Sequence, residues 1–208
     1  MFFAGCRAGN IVRLRDDVDN YAATTILSLA KDEPPFCSPG TAPKHIDQYR
    51  ELLRLDEPIP DRHFALIHCL ANNLAYDHGA TLVHQGTAKG DKLYATLARH
   101  GVPKSLKEMG FTDVSHFWEP WCVAMDGDEI ASIAFAARTG ETGTEIGVAT
   151  MFAFRGRGFA AAVTAGWTSL PQLKDRTLFY STTRPNLSSQ RVIERLRLPL
   201  LGVSVRLQ

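Results

Sequence analysis

The sequence predicts a mixed α/β protein, and three observations support this expectation. In the first half, apolar residues have helical spacing, most clearly over 19–30. Near Phe117 the pattern changes to extended segments at 121–125 and 130–137. Finally, an apolar strand at 144–150 leads into an arginine- and glycine-rich turn that opens a long apolar helix. Strands and helices therefore alternate in the second half of the chain.

We expect residues 1–116 to form a mainly helical N-terminal portion. It contains a frayed end or short strand at 1–6, a candidate strand at 11–15, helices at 19–30 and 45–55, a third helix from Asp61 through Phe64 to Leu74, and shorter helical pieces at 91–100 and 105–109. Prolines at 34–35 and 58–60 separate the first helices.

Residues 117–208 are expected to form the α/β core. Its predicted elements are strands 121–125, 130–137 and 144–150, a helix 158–170, a strand 178–183, a helix 188–196 and an extended segment 200–207. The turn at 126–129 predicts that the first two strands form an antiparallel hairpin.

The turn after the third strand has the composition of an anion-binding site. Gly156 and Gly158 remove side chains where backbone must approach a ligand, and Arg155 and Arg157 add positive charge. The free N–H groups of the following helix add partial positive charge. Each charge-assisted hydrogen bond contributes roughly 1.5–3 kcal/mol, so several together suffice for micromolar affinity. The turn therefore predicts a site for a phosphorylated cofactor.

Charge is distributed unevenly along the chain. Residues 1–150 hold 14 Lys/Arg and 20 Asp/Glu, whereas residues 151–208 hold 9 and 2. A basic final quarter suits an anionic ligand, and the acidic remainder favours a cationic partner or is simply a solvated surface. The basic residues form no stripe interleaved with aromatic residues, so we expect no nucleic-acid partner.

The remaining composition indicates a reduced intracellular protein. Four scattered cysteines have neither disulfide-framework nor metal spacing, and the start lacks the basic and apolar run of a signal peptide. No segment reaches the roughly 20 apolar residues of a membrane span. Histidines 63, 68, 78 and 84 form no metal-binding motif. We expect a cytoplasmic location, no metal and no membrane association.

The order of elements around this turn resembles that of the GNAT superfamily of acyl-CoA N-acyltransferases. Arg155-Gly-Arg-Gly-Phe-Ala160 matches the family's pyrophosphate loop, and Asn186-Leu-Ser-Ser189 resembles its Asn-x-x-Ser segment before an apolar helix. The resemblance covers about residues 117–208. It implies a mostly antiparallel, splayed sheet flanked by helices, and acetyl-CoA as co-substrate.

The resemblance also implies which residues hold the cofactor. Backbone groups of Val148, Ala149 and Thr150 would bind the pantetheine arm like an added strand. The pyrophosphate would lie over Arg155, Gly156, Arg157, Gly158, Phe159 and Ala160. Asn186 would bond the pantetheine or the phosphates, with Ser189 as a weaker candidate.

The implied activity is acetyl or short-acyl transfer to an amine by direct attack. Glu145 lies at the position of a frequent general base, although it also fits a strand-edge residue paired with an arginine. His116 and Glu119 are reserve candidates. The family's usual proton-donating tyrosine is Ile193 here, so the resemblance leaves Tyr180, Ser181 or solvent as the donor. The acceptor would be a small or peptide amine, and a homodimer is compatible with the family.

Two other functions remain open from the sequence. A non-catalytic acyl-CoA-binding module would explain the missing tyrosine. A dinucleotide-binding protein fits Gly156, Gly158 and Ala161, but the acidic Asp175 precedes the strand at 178–183 instead of ending it.

Overall fold

A computed structural model describes the whole chain, residues 1–208, as two compact units. The first contains residues 1–68, 181–190 and 199–208, and the second contains residues 69–180 and 191–198. This division does not follow the predicted boundary between residues 116 and 117. Residues 69–116 belong to the second unit, and the last strand belongs to the first.

The first unit contains four strands and two helices in its main segments. They are β1 (Phe2–Cys6), β2 (Gly9–Arg13), α1 (Asn20–Lys31), α2 (Ile46–Leu52), β3 (Phe64–Leu70, whose last two residues belong to the second unit) and β9 (Leu200–Arg206). The strands pair antiparallel in the order β2-β1-β9-β3. Their core contains Phe3, Ile26, Tyr49 and Val205, all fully buried.

One helix predicted for this unit is wrong. Asp61–His63 forms only a 3-10 turn, and the residues expected to continue as a helix form strand β3. Phe64 lies opposite Val205 in β9, and Leu66 lies opposite Val203. A short apolar run satisfies both helical and strand spacing, so pairing with β9 decides its conformation.

The second unit contains the remaining strands in the order β4-β5-β6-β7-β8. They are β4 (Thr81–His84), β5 (Cys122–Asp126), β6 (Glu129–Thr139), β7 (Gly143–Thr150) and β8 (Thr177–Thr183, whose last three residues belong to the first unit). All neighbours are antiparallel except β7 and β8, which are parallel. The predicted hairpin of β5 and β6 is confirmed, whereas β4 is not among the predicted strands.

Four helices accompany these strands. They are α3 (Ala88–His100), α4 (Lys104–Lys107), α5 (Phe159–Thr168) and α6 (Leu187–Leu196), of which α6 belongs to the second unit from Arg191 onward. Nine of the ten residues of α5 are buried, so this helix lies inside the apolar core of the unit. The expectation of a mixed α/β fold with a mostly antiparallel sheet flanked by helices is confirmed. No helix has both the length and the apolarity that crossing a bilayer requires.

Candidate functional site

The arginine- and glycine-rich turn connects β7 to α5. After Thr150 the chain makes a 3-10 turn, returns to an extended conformation at Arg155, and then takes positive φ angles of 76° at Gly156 and 94° at Gly158. Only glycine adopts such angles at little cost, which explains the residue type at both positions. The predicted turn is therefore formed by backbone conformations that its two glycines allow.

The start of α5 leaves several backbone donors without an acceptor in the helix. Gly158 is the N-cap and offers no side-chain hydrogen bond, and the first helical bond runs from Ala162 N–H to Gly158 C=O at 3.1 Å. The N–H groups of Phe159, Ala160 and Ala161 precede that bond. A helix start of this kind is suited to an anion.

The two arginines of the turn already contact other parts of the second unit. The Arg155 guanidinium lies 4.0 Å from the centre of the Phe152 ring, and its Nε donates to the Thr150 carbonyl at 3.3 Å. Arg157 Nη2 donates to Asp126 Oδ2 at 2.7 Å. Arg157 therefore ties the turn to the hairpin between β5 and β6.

Replacing Asp126 with asparagine is expected to change the free energy of unfolding by less than about 1 kcal/mol, because exposed ion pairs contribute little. The side chains of Arg157 and Asp126 are 50% and 41% exposed. Urea unfolding of the native chain and the variant measures the difference. A loss well above this range would mean that the pair contributes more to stability than exposed ion pairs do.

Two residues that the sequence analysis did not assign to the site lie against Gly158. A Cβ atom at Gly158 would come within 2.7 Å of the His78 ring and 3.0 Å of Arg195 Nη1. His78 Nε2 donates to the Arg157 carbonyl at 2.6 Å, and its ring centre lies 4.7 Å from that of Phe159. No motif marks His78, whereas Arg195 belongs to the basic final quarter of the chain, which predicts an anionic ligand.

The strands β7 and β8 are paired over only part of their length. The parallel register joins Gly143, Thr144 and Glu145 to Thr177, Leu178 and Phe179, and ends there. The predicted pantetheine-binding residues Val148, Ala149 and Thr150 lie beyond this register, toward the turn. On the β6 side, Ser132 Oγ donates to the Ala149 carbonyl at 2.9 Å and lies 2.8 Å from Thr150 Oγ1. The edge of β7 that faces β8 is thus the edge left for an extended ligand.

Glu145 lies at the last pair of this parallel register, opposite Phe179. Its Oε2 accepts a hydrogen bond from Arg138 Nη1 at 2.6 Å, and its side chain is 21% exposed. The arginine pair considered from the sequence is therefore present. Glu145 thus forms an ion pair with Arg138 and lies at the point where the two strands separate.

The other predicted catalytic residues have different surroundings. Tyr180 is buried in the apolar cluster of the second unit, and Ile193, at the position of the usual tyrosine, is buried in the same cluster. Ser181 belongs to the first unit and is half-buried. Of the reserve candidates, His116 is half-buried and Glu119 is exposed.

Asn186 and Ser189 also belong to the first unit, at the start of α6. Asn186 Oδ1 accepts a hydrogen bond from the Ser189 N–H at 3.1 Å. Asn186 therefore caps α6, as its residue type favours. Its amide nitrogen is the part of the side chain that remains for a ligand.

Two groups of the second unit whose pKa values are shifted by burial lie against α5. Burial raises the pKa of the Cys122 thiol to about 12 and lowers the pKa of His84. These residues are opposite each other in β5 and β4, and both approach Gly166 of α5. At neutral pH the Cys122 thiol stays protonated, so it is unsuited to nucleophilic chemistry. No group of three histidine, cysteine or acidic residues could hold a metal ion.

No family model and no curated protein matches this sequence. Among solved structures, a functionally unknown conserved protein from Staphylococcus epidermidis is similar over 94% of this chain and 82% of its own, with 10% identity and a TM-score of 0.50. A GNAT-family acetyltransferase from Colwellia psychrerythraea is 16% identical over 77% of this chain, with a TM-score of 0.47. A GCN5-related N-acetyltransferase from Kribbella flavida is 17% identical over 68%, with a TM-score of 0.45.

The chain spans 62% and 56% of the length of these two acetyltransferases. Similarity at such low sequence identity says nothing about the activity of this chain. The antiparallel hairpin and the glycine turn that opens α5 are features that the sequence analysis predicted. The chain has a mixed α/β fold with a mostly antiparallel sheet, and it is similar in structure to GNAT-family acetyltransferases.

Proposed function

We propose that this protein is an N-acyltransferase that transfers an acetyl or short acyl group from acyl-CoA to an amine. The observation that supports this most strongly is the start of α5 at Gly158, where the first backbone N–H groups have no helical acceptor and arginine side chains lie nearby. A diphosphate needs several converging donors, and the helix N–H groups supply them. Glycine is required at position 158, because a Cβ atom there would collide with the His78 ring and come within 3.0 Å of Arg195 Nη1.

The strand arrangement supports a longer ligand than a phosphate alone. Beyond Glu145 the parallel register of β7 with β8 ends, so the β7 backbone over Val148, Ala149 and Thr150 offers an edge for an extended chain. The pantetheine arm of acyl-CoA has the amides that such an edge binds. In contrast, a dinucleotide fold would have a parallel strand on the side of β7 where β6 pairs antiparallel.

Acetyl-CoA, once bound, supplies the acyl group as an activated thioester. Glu145 would accept a proton from the acceptor ammonium at its carboxylate, directly or through water, and so provide a neutral amine. Backbone N–H groups near Thr150 would polarise the acyl carbonyl. Transfer forms a C–N bond and breaks a C–S bond, so a proton must also reach the departing sulfur. Ser181, Tyr180 or solvent would provide it.

Isothermal titration with acetyl-CoA is the first test of this function. We expect binding near micromolar by the native chain and none by Gly158→Trp, because an indole at this position collides with His78 and Arg195. Gly40→Trp is the matched control, since Gly40 lies in open space. NADH should not bind. Release of free thiol from acetyl-CoA in the presence of a panel of small and peptide amines then identifies the acceptor.

Thermal melting of Gly158→Trp must show a cooperative transition, and Gly158→Ala provides a milder variant if it does not. A folded native chain that binds no acetyl-CoA contradicts the proposal. Binding without thiol release for any amine favours the non-catalytic acyl-CoA-binding module, which the buried Ile193 at the tyrosine position also fits.

A further inference from the structure

Three arginines surround the turn, but their side chains are engaged to different extents. Arg157 is paired with Asp126, and Arg155 lies over Phe152 with its Nε bonded to Thr150. Arg195 is exposed, and its side chain forms neither an ion pair nor a hydrogen bond. The cation with the most donors left for a ligand therefore comes from α6 and not from the glycine turn.

The side chain of Arg195 reaches the start of α5. Its Nη1 lies 3.0 Å from the point that a Cβ atom on Gly158 would occupy. On either side of it along α6, Ile193 and Leu196 are buried in the apolar cluster, which fixes this part of the helix. The guanidinium therefore lies beside Gly158, at the start of α5.

His78 contributes to the same arrangement from another segment. The carbonyl of Arg157 can only accept, so the hydrogen bond between them places the proton of His78 on Nε2. This bond and the ring contact with Phe159 hold the backbone of the turn in place. His78 therefore positions the turn, and Arg157 connects it to Asp126. The guanidinium of Arg195 lies beside the turn and has no hydrogen-bond partner.

We infer that Arg195 is the side chain that binds the diphosphate of acyl-CoA, whereas Arg157 positions the turn through Asp126. A guanidinium presents parallel N–H donors that match two oxygens of a phosphate group. The helix N–H groups and Arg195 would then bind the same diphosphate. This inference rests on the proposed function, because it assigns a ligand to the site proposed above.

Titration calorimetry with coenzyme A, 3′-dephospho-coenzyme A and pantetheine tests the assignment. Arg195→Ala is expected to weaken both nucleotide-containing ligands by about 10- to 100-fold, the effect of losing a charge-assisted hydrogen bond. The affinity for pantetheine, which has no diphosphate, should not change. Arg191→Ala is the matched control: it removes the same charge one helical turn earlier and should cost less than about 3-fold. Arg157→Ala should have a smaller effect than Arg195→Ala.

The possible results separate this inference from the proposed function. If the native chain binds coenzyme A and folded Arg195→Ala binds it equally well, the inference is wrong and the function stands. Equal losses in Arg191→Ala and Arg195→Ala would indicate a general charge effect and also overturn it. A loss for coenzyme A alone would assign Arg195 to the 3′-phosphate instead. If the native chain binds none of the three ligands, both are wrong.

Discussion

Replacing Glu145 with glutamine is expected to lower kcat by about 10²- to 10⁴-fold, the range that a general base contributes. Glutamine keeps the shape of the side chain and can still accept a hydrogen bond from Arg138, but it cannot take a proton from an ammonium group. The affinity for acetyl-CoA should stay unchanged, because Glu145 lies at the last pair of the β7–β8 register, away from the turn. Steady-state thiol release with the best amine of the panel measures kcat.

The matched control is Glu141→Gln, which removes the same charge from an exposed residue between β6 and β7. Its kcat should equal that of the native chain. A native kcat in Glu145→Gln, with acetyl-CoA affinity retained, would leave Glu145 as no more than the ion-pair partner of Arg138. His116 and Glu119 would then be the next residues to replace.

The second large effect is expected at Trp167, the fully buried tryptophan of α5. Trp167→Ala should lower the free energy of unfolding by about 3–5 kcal/mol, as large-to-small core substitutions do. The change also removes the donor that bonds the Pro120 carbonyl at 2.8 Å. Because α5 starts at the glycine turn, the looser packing of α5 in this variant should also weaken the binding of acetyl-CoA. Urea unfolding followed by circular dichroism gives the free energy.

Trp118→Ala provides the comparison, since Trp118 is 53% exposed. Trp118→Ala should lower the free energy of unfolding by about 1 kcal/mol or less, and most of this loss should come from the edge contact with Phe135. If the two variants unfold at the same urea concentration, the burial of Trp167 does not stabilise the fold more than the exposed Trp118 does.

The glycine turn was predictable because its chemistry is local. Gly156 and Gly158 mark positive φ angles, and the apolar residues after them mark a buried helix, so a few neighbouring residues contain the whole signal. The contact of His78 with Gly158 was not predictable in this way. It joins residues 80 positions apart, and nothing in the sequence near His78 indicates a partner.

The elements that sequence reasoning missed depend on strand pairing. The spacing of Phe64, Ile67 and Leu70 fits a helix, but the segment pairs with β9 and becomes β3. β4 is only four residues long, and Leu82 and Val83 alone give too little pattern to identify a strand. In both cases the partner strand lies far along the chain, at 200–205 for β3 and 122–125 for β4.

The most direct test of the central claim is amide hydrogen exchange, measured by mass spectrometry with and without coenzyme A. The N–H groups of Phe159, Ala160 and Ala161 have no helical acceptor and should exchange fast in the free protein. If the diphosphate binds at this helix start, peptides covering 156–161 should become strongly protected. Protection confined to other segments, such as the residues around the separate 560 Å³ hollow lined by Asn10 and Leu27, would contradict the account.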